Sequence, residues 1–329
     1  MRLGVLLPEG TADVPLDTAE LAATTGYDAI WAGELWGADA FVQLTTVAHR
    51  LGDAVSDVAL GTAIANVYSR SPAALAAAAT TLDSVHDGPV RLGVGPSTPK
   101  AIEDLHGASY DRPVRRTHEA AELVHRFTAG EGRVDYDGEL FETADFPALD
   151  ADVPVYTAAL GPAARRMTGR VADGWIPHNV PFERLDESFE TVAETAREAG
   201  RDPSAIDTAP YVPAAVGDDA EAAYEAVRGH LAYYVGSGEG YRKAVATAFP
   251  DAADTVAERW RGGDRDGARE AISEGMVDAL GVAGTPESAR ERLREILALD
   301  AVDEAILVPS MRADELREGT IRELAPEKL

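Results

Sequence analysis

Apolar positions fall into short runs separated by longer stretches with helical spacing. Runs at 2–7, 28–33, 57–65, 90–95, 153–160, 174–177, 206–216 and 304–310 consist of adjoining Val, Ile, Leu and Ala rather than strict alternation. Strands covered on both faces read this way, because neither face meets water. Stretches at 16–25, 41–51, 72–86, 112–128, 161–172, 182–199, 219–235 and 313–323 read as helices. Eight strands separated by helices predict an α/β fold, a (β/α)8 TIM barrel, with a doubly wound open sheet as the competitor. Two stretches interrupt the alternation: 129–152 reads as a β-hairpin excursion after the fourth helix, and 236–281 as a helical insertion before the last strand. No linker composition divides the chain, so residues 1–329 are expected to form a single domain.

In such a barrel the chemistry gathers at the C-terminal ends of the strands. That rule selects Leu6–Glu9, Gly33–Trp36, Ala63–Arg70, Gly95–Thr98, Ala158–Pro162, Pro177–Asn179 and Pro309–Met311. In "WAGELW", Glu34 and Trp36 would face the mouth; the alternative for Glu34 is a surface carboxylate. In "RLGVGPST", Gly93 and Gly95 let backbone approach a ligand closely, but the third glycine of a dinucleotide fingerprint is missing and no helix is expected at once. A plain turn is the other reading. In "TAALGPAARRMTG", Gly161 and Pro162 open a helix whose first N–H groups suit a phosphate; an ordinary helix start would look the same. His178, just past the sixth strand, is the one histidine placed for a ligand, against the reading of a satisfied loop histidine.

Composition narrows the partners. Asp and Glu number 57 against 30 Lys and Arg, a formal charge of −27. Such a surface repels phosphate backbones and anionic lipid, which disfavours nucleic acid and membrane partners. Only Lys100, Lys243 and Lys328 are lysines. The acidic balance predicts adaptation to high salt, where screening quiets self-repulsion. The chain has no Cys, which excludes disulfides, thiolate metal sites and a Cys nucleophile. No histidine pair has metal-ligand spacing, so no metal is expected, and no nucleophile-elbow motif points to a serine hydrolase. No apolar run suits a signal peptide or a membrane span, so a cytoplasmic location is expected.

Eight segments in order then resemble one family: "GYDAIWAGE", "LGTAIANVYSRSPA", "RLGVGPS", "YDRPVRRTHEAAELV", "YDGELF", "GPAARRMTGRVADGWIPH", "EGMVDALGVAGTPE" and "RELAPEKL". The chain resembles the bacterial luciferase-like superfamily, in its coenzyme F420-dependent branch, with closest likeness to methylenetetrahydromethanopterin reductases. The resemblance implies a non-prolyl cis peptide joining Ala63 and Ile64 behind the deazaflavin ring, with Ala63 and Ala65 making room and Asn66 near the polar edge of the cofactor. It implies cofactor contacts from Trp36, Gly95, Pro96 and Ser97, and backbone N–H groups of Ala159, Leu160 and Gly161 at the phosphate. It places Glu34 as the acid beside the ring and Thr98 and His178 toward the substrate.

The sequence departs from the family pattern in three places. The acid–His pair of strand two reads Glu34–Leu35, and the acids expected after strands one and four are Leu6 and Thr98. These departures bear on the substrate more than on the cofactor. The expected activity is hydride transfer between coenzyme F420 and a small organic substrate, with methylene-tetrahydromethanopterin or methylene-tetrahydrofolate leading. The alternatives are an FMN-dependent monooxygenase of the same superfamily and a non-catalytic barrel that serves as a binding module. A homodimer or higher homo-oligomer is also implied.

Overall fold

The computed structural model describes residues 2–8, 13–310 and 313–329; Glu9 and Met311, picked out above, lie outside the described residues. In chain order, β1 (Arg2–Leu6), α1 (Leu16–Thr24), β2 (Ala29–Ala32), α2 (Ala40–Leu51), β3 (Ala59–Asn66), α3 (Pro72–Val85), β4 (Val90–Gly95) and α4 (Pro113–Thr128) make the first half. A hairpin follows, β5 (Arg133–Asp137) antiparallel to β6 (Glu142–Pro147). Then come β7 (Val155–Ala158), α5 (Pro162–Val171), β8 (Gly174–Ile176), α6 (Leu185–Glu198), β9 (Asp207–Thr208) and β10 (Tyr211–Val216). Five helices succeed one another: α7 (Ala220–Ser237), α8 (Glu239–Val245), α9 (Pro250–Arg261), α10 (Arg265–Glu270) and α11 (Glu274–Leu280). The chain closes with β11 (Val282–Gly284), α12 (Pro286–Leu297), β12 (Glu304–Pro309) and α13 (Asp314–Glu323).

The large sheet is parallel throughout and curled. Its order is β11-β10-β12-β1-β2-β3-β4-β7-β8-β9. The segment 206–216, expected as one strand, holds two pieces at 207–208 and 211–216, because Pro210 has no N–H to give the ladder. Its N–H groups at Ala209 and Tyr211 donate to Trp175 O (2.8 Å) and Pro177 O (2.9 Å), while Pro210 O accepts from Ile306 N (2.9 Å). This one segment therefore carries β9, at one end of the sheet, and β10, next to the other. Three further elements were not expected: β11 and α12 occupy 282–297, and a π-helical turn at 101–105 follows the "RLGVGPST" stretch.

Apolar burial divides into three bodies. Leu6, Trp31, Ala63, Tyr156, Ile176, Tyr211 and Ile306 fill the inside of the curl. A larger cluster lies between the sheet and its helices, and a third packs α7 against α9, α10 and α11. Near the N-terminal ends of the strands the interior holds a charged plug. Glu304, 1% exposed, accepts from Trp31 Nε1 (2.7 Å) and pairs with Arg91, whose guanidinium lies over the Trp31 and Tyr156 rings. The opposite, C-terminal ends of the strands form the mouth.

Candidate active site

The site begins with a break in one ladder. The register of β3 against β4 shifts between Thr62 and Ala65, and the Ala63–Ile64 peptide is cis, as the resemblance implied. A glycine is required opposite, since a Cβ on Gly93 would collide with the Thr62 carbonyl oxygen. At Gly95 a Cβ would come 3.1 Å from Ala158 Cβ and 3.3 Å from Ile64 Cδ1, so its missing side chain makes room for Ile64. Ala63 and Ala65 are buried and small. The bulge is held from two sides: the Tyr211 hydroxyl donates to Ala63 O, and Glu34 N–H donates to Ile64 O at 3.2 Å.

The turn after β3 uses its polar residues on itself. Asn66 Oδ1 accepts from the N–H groups of Tyr68 (3.1 Å) and Ser69 (2.8 Å), and its Nδ2 lies 3.3 Å from His106 Nε2. Ser71 then caps α3, accepting from Ala74 N at 3.2 Å, with Pro72 as the first helical residue. Arg70, between them, reaches back to the loop after β2. Its guanidinium takes Glu34 in a two-point pair (2.5 and 2.7 Å), also meets Asp39, and lies over Phe41. Burial alone would lower the Arg70 pKa, but the hydrogen bonds and charges of Glu34 and Asp39 outweigh it and raise it. Glu34 Oε1 also accepts from Ala40 N at 3.0 Å, at the start of α2. The carboxylate is thus oriented by three donors.

Across the mouth stands an aromatic wall that sequence reading missed. His178 is 7% exposed, and its ring centroid lies 4.3–5.1 Å from those of Tyr234, Tyr211 and Tyr241. His178 Nε2 and His230 Nε2 are 3.2 Å apart, so one ring donates and the other accepts. Burial, and then the neighbouring His230, hold His178 well below the ordinary histidine pKa, which keeps the imidazole neutral. Exposed Trp36 meets Tyr233 edge-on at 6.4 Å, joining the loop after β2 to α7. The available signal was "HLAYY": His230, Tyr233 and Tyr234 share one face of α7 at spacings of three and four.

The remaining expected residues lie on two neighbouring strand ends. Pro96, Ser97 and Thr98 follow β4 and are half-buried. Ser97 adopts a left-handed backbone, its carbonyl accepts from Tyr110 OH at 3.4 Å, and Thr98 Oγ1 accepts from Ala101 N at 3.3 Å. Ala159, Leu160 and Gly161 follow β7. Ala159 O accepts from Trp175 Nε1 (2.7 Å) and Leu160 O from Arg165 Nε (2.9 Å), which turns both carbonyls toward protein donors. No atom lies within 4 Å of where a Cβ on Gly161 would stand, so the start of α5 is open to an approaching group. Small residues at the bulge and this open helix start fit a flat ring carrying a phosphate tail. Among the described residues no group of three or more His, Asp or Glu side chains could hold a metal ion. No helix among the described residues is long and apolar enough to cross a membrane.

Sequence comparison agrees with this geometry. The profile of the luciferase-like monooxygenase family matches residues 4–304. The chain belongs to this family. Among luciferase-like relatives, a 5,10-methylenetetrahydromethanopterin reductase of Methanolobus tindarius is 29% identical over 286 residues, covering 85% of each chain. An F420-dependent glucose-6-phosphate dehydrogenase of Nocardia farcinica is 31% identical over 190 residues, covering 54% of this chain and 56% of its own. The solved coenzyme F420 dependent tetrahydromethanopterin reductase of Methanopyrus kandleri superposes with a TM-score of 0.81 at 25% identity, covering 99% of this chain and 97% of that one. The curled sheet of this luciferase-like chain therefore has the barrel-like fold of that reductase.

Proposed function

We propose that this protein is a coenzyme F420-dependent oxidoreductase that moves a hydride between the deazaflavin and a small organic substrate. The observation that carries the reading is the bulge at 63–65, where small Ala63 and Ala65 flank Ile64 and the backbone is held by Tyr211 and Glu34. When bound, the cofactor supplies or accepts a hydride at its ring C5. The chain's own residues position it. Ala63, Ile64 and Ala65 would back the ring, with Trp36, Asn66, Gly95, Pro96 and Ser97 around it, and Ala159, Leu160 and Gly161 would meet the phosphate at the start of α5. Thr98 and His178 would face the substrate. Glu34 is the candidate acid beside the ring. Its two oxygens are engaged by Arg70 and Ala40, so proton delivery from Glu34 requires the Arg70 pair to loosen first.

A methylene-tetrahydromethanopterin or methylene-tetrahydrofolate is the specific substrate we favour, supported by the named reductases among the relatives. Leu6, Leu35 and Thr98 stand where that chemistry would call for acid or imidazole groups, so a sibling substrate is the second reading. We further read the architecture as one (β/α)8 barrel domain with insertions at 129–152 and 236–281, assembled as a homodimer or larger homo-oligomer. The test is a binding titration in molar KCl. We expect coenzyme F420 to bind and FMN to bind at least about tenfold more weakly. Preference for FMN would move the chain to the monooxygenase side, and binding of neither would overturn the proposal.

A further inference from the structure

Asn179 carries a hydrogen-bond deficit that nothing in the mouth explains. It stands at the C-terminal end of the β8 segment, one residue past His178, and is 2% exposed. Neither its Oδ1 nor its Nδ2 has a partner among the described residues. Buried amides are nearly always bonded, because stripping both a donor and an acceptor of water without replacement is costly. Its left-handed backbone, φ 57°, accounts for Asn over a branched residue at this position. It does not account for the burial of an idle amide. By contrast, Asn66 is engaged in its turn, Glu34 and Arg70 with each other, and His178 with His230.

We propose that Asn179 is a ligand-reading residue that pairs with a neutral amide-type edge, one N–H beside one C=O, on a molecule bound in the mouth. The geometry suits such an edge because a side-chain amide offers one acceptor and one donor side by side and carries no charge. His178, the preceding residue, is held neutral by burial and so adds no charge that would favour a phosphate or carboxylate there. The same chemistry has two sources: the dione ring of a deazaflavin, or a lactam or carboxamide on the substrate. The first source rests on the function proposed above, and the second does not.

The test uses the full chain, its Asn179→Gly variant, which keeps the left-handed backbone, and Asn179→Asp, which keeps the shape but loses the donor. Two probes are titrated into each: coenzyme F420, followed by its absorbance, and uracil, whose imide edge mimics the proposed partner. Uracil binding is followed in all three proteins by saturation-transfer signals on uracil's own ring protons, and in the unsubstituted chain also by the Asn179 side-chain amide signal in 15N-resolved NMR. If the cofactor is the source, both variants weaken F420 binding about tenfold or more. If the substrate is the source, F420 binding is unchanged, while uracil shifts the Asn179 amide signal saturably and Asn179→Gly abolishes its binding. Unchanged F420 binding with no uracil response overturns the proposal and leaves a buried water as the partner. Failure of the wild-type chain to bind F420 would overturn the proposed function alone, and the uracil arm would still decide the role of Asn179.

Discussion

Replacing Glu304 by Leu tests whether the floor of the curled sheet is held by one ion pair. Glu304 is 1% exposed, and the side chain of its partner Arg91 is 9% exposed. The residue also takes the Trp31 Nε1–H bond at 2.7 Å. Space for this arrangement comes from Gly4, where a Cβ would stand 2.7 Å from Trp31 Nε1 and 2.8 Å from Glu304 Oε1. Leucine would leave a guanidinium buried without its counter-ion, which costs about 3–5 kcal/mol. It would also orphan an indole N–H, worth about 1–3 kcal/mol. The two costs share surroundings and do not simply add, so we expect a loss of about 4–6 kcal/mol, a large part of a typical domain's stability. Urea unfolding at fixed salt, read by two probes, measures it. The decisive comparison is the double variant Arg91→Met with Glu304→Leu. Removing both charges leaves the orphaned N–H, while Arg2, 3.9 Å from Glu304, keeps its 2.7 Å pair with Asp207, so the double variant should lie about 1–3 kcal/mol below wild type and above the single variant. A single variant within about 1 kcal/mol of wild type, or a double variant as unstable as the single, would refute the reasoning.

Other outcomes follow from the mouth and the surface. Gly93→Ala should cost about 3 kcal/mol or more, because the new Cβ meets the Thr62 carbonyl and forces β3 away from β4; denaturant midpoints check it, and a neutral effect would show that the bulge yields. Tyr211→Phe removes the hydroxyl that donates to Ala63 O, and should weaken F420 binding by about threefold to tenfold in a titration while leaving unfolding by urea within about 1.5 kcal/mol. His178 sits below the ordinary value of 6.5 in the folded chain, so the unfolded chain binds the extra proton: stability is full above about pH 6.5 and falls as pH drops below it. A His178→Gln variant should lose part of that slope in Tm-versus-pH scans. Finally, with a net charge of −27, the melting temperature should rise with KCl into the molar range; a maximum in dilute buffer would sink the reading of high-salt adaptation.

The alternation of apolar runs and helical stretches determined the α/β architecture, because burial on both strand faces leaves a local signature in residue type. Gly161 and Pro162 announced the start of α5, since backbone that must be approached closely excludes a side chain there; the bulge at 63–65 was implied by the resemblance alone. The resemblance placed the cis peptide. What the sequence could not convey is who meets whom. Arg70 was in view at the end of β3, but its pairing with Glu34 depends on two loops 36 residues apart. Tyr211 supports Ala63 from 148 residues away, and Glu304 neutralises Arg91 from 213. His178 was placed at the mouth, yet its neutrality follows from burial against His230 on a helix that reads locally as surface and core mixed. Strand and helix are dictated by neighbours along the chain, so they can be read from it. Pairing, burial and unmet hydrogen bonds such as those of Asn179 arise only when the curl of the sheet brings distant strand ends to one mouth and removes their water.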